Sequence, residues 1–169
     1  QDFNALVIAT KQEVAKNLVT KVRVMNDFLP SWLKQTTVED NKLSLRYSNG
    51  SQIKATSSSG DAGRSEALSL LVFDEAAFID KIEDIWISAQ STLSTGGNAI
   101  ILSTPNGVGN FFHKTWVEAE EEVNGFNPIR LHWSVHPERD QDWRDKQEIL
   151  LGPKGAAQEC DCDFISSGD

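Results

Sequence analysis

The stretch Leu70-Leu71-Val72-Phe73-Asp74-Glu75-Ala76-Ala77-Phe78 decides the fold of this chain. Four apolar residues run directly into two adjacent carboxylates. The apolar run predicts a buried strand of a parallel sheet, and the abrupt change predicts that Asp74 and Glu75 lie at the carboxyl edge of that sheet. In open α/β sheets this edge is where ligands bind. The stretch therefore predicts both the sheet and the place of a functional site.

Strands and helices alternate along the rest of the chain. A helix is predicted after the first strand, with Thr10 and Glu13 forming a capping box and Pro30 ending the helix. An Asn49-Gly50 turn between the alternating segment at residues 43–47 and the segment at residues 52–55 predicts a β-hairpin. This order predicts an α/β fold with a parallel sheet and the hairpin as an excursion. Further strands are predicted at residues 4–9, 99–102 and 129–133, and further helices at residues 82–93, near 112–119 and at 140–151.

Length and charge limit the possible classes of protein. With 169 residues the chain is one domain with a real core, and it has no apolar run that would span a membrane. The net charge of -9 argues against a dedicated DNA-coating protein. This charge is unevenly distributed, since residues 71–169 hold 18 of the 25 acidic side chains. Cys160 and Cys162 are too close for an ordinary disulfide and lack a second pair of zinc ligands, which indicates a reducing compartment.

The two carboxylates are the pair that a nucleotide hydrolase needs at the edge of its sheet. One acid holds the Mg²⁺ that bridges the phosphates, and the other activates or orients the attacking water. Asp74 suits the metal and Glu75 the water, which is the arrangement of a Walker B motif. The alternative is a surface turn with two solvated acids, because an apolar run before Asp-Glu also occurs by chance.

Two further segments fit the same chemistry. Ser103-Thr104 follows the next apolar strand, where a hydroxyl can hydrogen-bond a phosphate or water, although the same residues are typical of a simple turn. Arg64 lies on a small-residue loop before the acidic strand. A guanidinium there could act as an arginine finger, or it could be a solvated loop residue.

The glycine-rich loop that cradles phosphates is missing from the sequence. No segment matches G-x-x-x-x-G-K-[ST], and the glycines at 60–63 and 107–109 lack its lysine and its strand-loop-helix setting. Without that loop a triphosphate cannot be held in the usual way. Because the chain begins at Gln1 with a strand almost at once, we expect the loop to precede residue 1.

Two motifs are predicted at the edge of the sheet, Asp-Glu-Ala-Ala-Phe at residues 74–78 and Thr-Pro-Asn-Gly at residues 104–107. In this order and at this separation they are fairly specific for one family. Taken together with their neighbours they cover nearly the whole chain. They resemble the large terminase subunit of tailed bacteriophages, the ATP-driven DNA-packaging motor. The matching segments are residues 48–53, the loop to Gly63-Arg64, residues 70–79, residues 100–107 with Phe111, Phe112 and Trp116, and residues 157–164.

The resemblance implies an additional-strand, RecA-like P-loop NTPase fold that is incomplete at its N-terminus. It implies ATP as the nucleotide, Mg²⁺ on Asp74 and water activation by Glu75. It also implies a nucleotide contact and coupling motif at Ser103 and Thr104, which links hydrolysis to domain motion. Arg64 resembles an arginine on the family's loop before the acidic strand and is a candidate catalytic residue.

The same resemblance sets the expected organisation. Residues 1–155 are expected to be the C-terminal part of the ATPase domain without Walker A, and residues 156–169 a linker towards an absent nuclease domain. The fragment alone is expected to be inactive. In the intact motor the expected partners are double-stranded DNA, the portal protein, the small terminase subunit and further copies in a ring. The expected location is the cytoplasm of the bacterial host, without a membrane.

Two other functions explain part of the sequence. Another additional-strand motor ATPase, such as a helicase, shares the Asp-Glu and Ser-Thr logic but needs a second RecA-like domain downstream. A non-enzymatic α/β binding module accounts for the missing phosphate loop without truncation. It does not account for two buried strands that both end in residues suited to chemistry.

Overall fold

The computed structural model describes residues 2–57, 67–93 and 96–168. The chain divides into two compact units, Gln1–Leu102 and Ser103–Asp169.

The first unit is built on one six-stranded sheet. Its order is β2-β3-β4-β1-β5-β6, in which β4, β1, β5 and β6 run parallel while β2 and β3 add an antiparallel extension. The predicted hairpin is confirmed as β3 and β4, and it joins the main sheet because β4 pairs with β1. The strands are β1 (Asn4–Ala9), β2 (Thr37–Asp40), β3 (Ser44–Tyr47), β4 (Gln52–Ser57), β5 (Leu70–Phe73) and β6 (Asn98–Ile101).

The core of this unit forms where helix α1 (Gln12–Phe28) covers the middle of the sheet. The central strand β1 is an apolar run, and its last two residues, Ile8 and Ala9, are fully buried. Ala15 and Val19 of α1 are also fully buried and pack in one cluster with Ala9. Ala15 and Val19 are four residues apart, so they lie on one face of the helix. Helix α2 (Ile82–Leu93) follows β5 and confirms the second predicted helix.

Two local predictions for this unit need correction. The capping box is wrong, because α1 begins after Lys11, which is its N-cap and makes no side-chain capping bond. The hydroxyl of Thr10 is used elsewhere, and Glu13 pairs with Lys16 instead (2.6 Å). Strand β2 was not predicted. Three of its four residues are exposed, so the segment carries little of the apolar signal by which a strand is recognised.

The second unit contains helices α3 (Phe111–Glu120) and α4 (Gln141–Glu159). Helix α4 is interrupted at Gly152, whose φ of 75° and ψ of 167° are not helical, and this confirms that the predicted helix ends at Gly152-Pro153. Asp140 caps α4 by accepting from the Trp143 N–H (2.8 Å).

The strand predicted at residues 129–133 is wrong. The described part of this unit holds no strand, and residues 133–135 form a 3-10 turn. Ile129 and Leu131 are 66% and 72% exposed, so the alternation that suggested a half-buried strand does not face a core. The backbone instead bonds to the end of α4, where Trp133 N–H donates to Cys160 O (3.0 Å). A strand needs a neighbouring strand to satisfy its backbone hydrogen bonds, whereas this segment bonds to the end of helix α4.

Candidate active site

Three neighbouring parallel strands end at one edge of the sheet. The register aligns Ile8 of β1 with Phe73 of β5, and Phe73 with Ile101 of β6. The hydrogen bonds continue one residue further, since Asp74 N–H donates to Ile8 O (2.9 Å) and Leu102 N–H to Phe73 O (3.0 Å). Asp74 and Glu75 therefore lie at the carboxyl edge, as the sequence predicted.

Glu75 is held in an uncommon backbone conformation. Its φ of 56° and ψ of 43° are left-handed, a region that few residues other than glycine adopt. The next residue, Ala76, donates its N–H to Leu102 O (3.0 Å), which fixes the turn to the end of β6. Strained backbone of this kind is common at functional sites and persists only where the surroundings hold it.

The carboxylate of Glu75 accepts a hydrogen bond from a residue on the neighbouring strand end. Thr10 Oγ1 donates to Glu75 Oε2 (2.9 Å) across a sequence separation of 65 residues. Thr10 directly follows β1, so the sheet itself brings the two side chains together. The sequence pointed to Thr10 only as a helix cap. The available signal was that a hydroxyl residue ends the strand next to the acidic one.

Asp74 is half-buried beside this pair. Burial raises the pKa of the Asp74 carboxyl, and the neighbouring Glu75 charge raises it further, while the Glu75 backbone N–H and the Lys21 ammonium act in the opposite direction. A nearby cation stabilises a carboxylate in such surroundings more strongly than it stabilises a carboxylate in water. The described residues include no cluster of three or more potential metal ligands. Mg²⁺ at phosphate sites commonly takes only one or two protein carboxylates, so Asp74 fits an ion that arrives with a nucleotide.

The other predicted site residues are Ser103, Thr104 and Arg64. Ser103 and Thr104 are half-buried and belong to the second unit, where Thr104 Oγ1 donates to Glu159 Oε1 (3.4 Å). Arg64 lies outside the described residues, so its predicted role as a finger stays a prediction.

Comparison with known proteins shows the family of this chain. A family model described as terminase large subunit, T4likevirus-type, N-terminal, matches residues 1–169. The chain belongs to this terminase family. The resemblance drawn from the two edge motifs is therefore confirmed, and the chain is a fragment of a phage DNA-packaging motor.

Solved terminase structures have the same fold. The ATPase domain of the large terminase from Thermus phage P74-26 is 22% identical, with a TM-score of 0.69 over 96% of this chain and 77% of that chain. A large terminase from a thermophilic bacteriophage is 10% identical, with a TM-score of 0.75 over 98% of this chain and 41% of that one. The HK97 bacteriophage large terminase is 13% identical, with a TM-score of 0.68 over 98% and 40% of the two chains.

These similarities confirm the predicted fold class, a largely parallel α/β sheet of the terminase ATPase type. The large terminase of the thermophilic bacteriophage has also been solved in complex with ADP and with ATP-gamma-S. None of the described helices is both long enough and apolar enough to cross a membrane.

Proposed function

We propose that this terminase fragment carries the metal-binding and water-activating half of an ATPase site that drives DNA into a procapsid. Asp74 holds the Mg²⁺ of Mg·ATP, and Glu75 is the general base for the attacking water. Ser103 and Thr104 contact the terminal phosphate and report its loss. The observation that carries the proposal is Glu75 itself, fixed in a left-handed turn at the sheet edge with its carboxylate bound to Thr10.

The geometry of Glu75 suits a base that must be aimed. A general base acts only when it lies within hydrogen-bond reach of the water it activates, so the direction of the carboxylate matters as much as its basicity. The turn at Glu75 fixes the backbone, and Thr10 Oγ1 fixes one carboxylate oxygen. We assign the second oxygen to the water. We assign Thr10 as a positioning residue that acts through Glu75.

Asp74 fits the metal role because of its half-buried setting. Asp74 would hold the Mg²⁺, which would supply a positive charge to offset the charge that develops on the phosphates. Asp74 supplies an anion that burial has partly stripped of water, next to a second carboxylate that bonds to Thr10. A cation at Asp74 would relieve the repulsion between the two acids.

The glycine-rich phosphate-binding loop is proposed to belong to a further strand that pairs with β6. In the described sheet β6 pairs on one side only, with β5, and its Ile100 is 48% exposed. Parallel sheets usually bury both faces and seldom leave an apolar edge open. This supports residues 1–155 as the later part of an ATPase domain, while residues 156–169 are proposed as a linker from the family resemblance alone. The fragment alone is then inactive.

The partners follow from membership of the packaging family and are part of the proposal. They are double-stranded DNA, the portal protein, the small terminase subunit and further copies of the large subunit in a ring. The proposed place of action is the cytoplasm of the bacterial host, where the procapsid is filled.

The proposed site is tested with two substitutions in the complete large subunit. Glu75→Gln keeps the shape of the side chain but removes the base, and we expect ATP turnover to fall by at least about 100-fold. Binding of Mg·ATP is expected to survive in that variant and to be lost in Asp74→Asn. Glu83→Gln, an exposed change on α2, serves as the matched control. Unchanged turnover in Glu75→Gln would contradict the assignment.

A further inference from the structure

Residues 103–107, which follow β6 in the sequence, form a loop that is held by the last part of the described chain. Two of its contacts come from neighbouring residues at the end of α4. Gln158 Nε2 donates to the Pro105 carbonyl (2.7 Å), and the Glu159 carboxylate accepts from Thr104 Oγ1 (3.4 Å). The first of these bonds is to the backbone of the loop, so it constrains the path of the main chain and not only a side chain.

A third contact comes from the segment beyond α4. The backbone N–H of Gly107 donates to Ser167 Oγ (3.1 Å), and that hydroxyl donates in turn to Phe164 O (3.0 Å). Ser167 has no exposed surface. Gly107 has a φ of +73°, and a Cβ there would lie 3.0 Å from the Cα of Gly168. The two main chains thus touch where neither has room for a side chain.

The segment that holds the loop is itself anchored. The ring of Phe164 packs against Phe112, His113 and Trp116 of α3, with ring centroids 5.9, 4.9 and 6.1 Å away. A displacement of the loop backbone therefore cannot be absorbed by a loose segment. It must either break the bonds to Gln158 and Ser167 or move the segment that carries them.

We propose that Gln158 and Ser167 are the positioning residues through which a shift of loop 103–107 is passed to the end of α4 and to residues 160–168. This rests on the proposed function, because the loop carries Ser103 and Thr104. When these hydroxyls gain or lose a phosphate, the backbone at Pro105 and Gly107 shifts. Gln158 and Ser167 convert that shift into movement of the end of α4 and of residues 160–168. Neither residue takes part in the chemical step.

The experiment compares hydrolysis with transport in the complete packaging motor. Gln158→Leu and Ser167→Ala are measured for ATP hydrolysis and for the length of DNA packaged. Gln147→Leu, on the same helix, and Ser166→Ala, an exposed neighbour, are the matched controls. We expect hydrolysis to stay within about threefold of wild type, while the ATP consumed per base pair rises on the order of tenfold. The controls are expected to leave that ratio unchanged.

A ratio that stays at the wild-type value overturns the proposal, whether hydrolysis and packaging fall together or neither changes. A merely structural role lowers both activities in parallel and does not move the ratio. If the buried change Ser167→Ala prevents folding, Gln158→Leu at its half-buried position decides the question alone. Glu75→Gln is run beside them: persistent hydrolysis in that variant refutes the proposed function, independently of the ratio.

Discussion

At the scale of single residues, the hydrogen bond from Thr10 to Glu75 makes a prediction about rate. Thr10→Val keeps the branched shape and removes the donor, so the carboxylate loses one of the constraints that aim it. One hydrogen bond contributes about 1 kcal/mol, so kcat of the complete protein is expected to fall roughly fivefold to tenfold with KM nearly unchanged. The measurement is steady-state ATP hydrolysis, with the exposed change Thr20→Val as control. A rise in KM without a loss of kcat would contradict the positioning role.

Asp74 leads to a prediction about stability. Because burial and Glu75 raise its pKa, the folded chain binds this proton more tightly than the unfolded chain. Stability conferred by the protonated form is lost as pH rises through the raised pKa, and above it the folded chain bears the cost of the buried anion. Asp74→Asn is therefore expected to raise the Tm at neutral pH.

The test is thermal unfolding of this chain across acidic and neutral pH, with the exposed change Asp80→Asn as control. The difference between Asp74→Asn and wild type should close below about pH 4, where both side chains are neutral. A lower Tm for Asp74→Asn at neutral pH would mean that the carboxylate stabilises the fold, against the direction derived from its surroundings.

At the scale of elements, one ion-pair cluster ties the first part of α4 to the segment that follows the helix, across the break at Gly152. The largely buried Arg144 donates two bonds to Asp161 (2.6 and 2.5 Å) and one to Glu148 (3.0 Å). The guanidinium lowers the pKa of Asp161, mainly through these hydrogen bonds. Stability from the pair is therefore present above the ordinary carboxyl pKa and lost as pH falls through the lowered value.

Arg144→Met is expected to reduce the free energy of unfolding by about 1–3 kcal/mol, because it leaves Asp161 without its bidentate partner. The measurement is urea unfolding of this chain at neutral pH. Lys146→Met, an exposed change on the same helix, should have little effect. If the two variants unfold at the same urea concentration, the cluster does not hold α4 to the segment after it.

The elements also show what sequence can and cannot predict. The strands β1, β5 and β6 were predicted because each is an apolar run of strand length, and their parallel order placed Asp74 and Glu75 correctly. The bond between Thr10 and Glu75 was not predicted, because it joins residues far apart in sequence and a local pattern offered Thr10 a competing role. The segment at 129–133 has the local pattern of a strand but no strand beside it.

At the scale of the whole molecule, the open edge of β6 makes a prediction about activity. This chain alone is expected to show no ATP turnover, because it has the acids of the site but not the loop that holds the phosphates. The same chain extended at its N-terminus through a glycine-rich loop is expected to bind and hydrolyse Mg·ATP. The measurement is phosphate release from both proteins at equal concentration. Equal turnover by the two proteins would contradict the proposal that the phosphate-binding loop belongs to a further strand beside β6.

The proposed function depends on where the metal binds, and a crystal structure with an anomalous scatterer tests this. The complete large subunit is crystallised with Mn²⁺ and a non-hydrolysable ATP analogue, and the anomalous signal locates the ion. We expect Mn²⁺ in direct contact with the Asp74 carboxylate and a water within hydrogen-bond distance of Glu75. An ion bound to other residues, with Asp74 and Glu75 both facing solvent, would contradict the assignment of this sheet edge as the ATPase site.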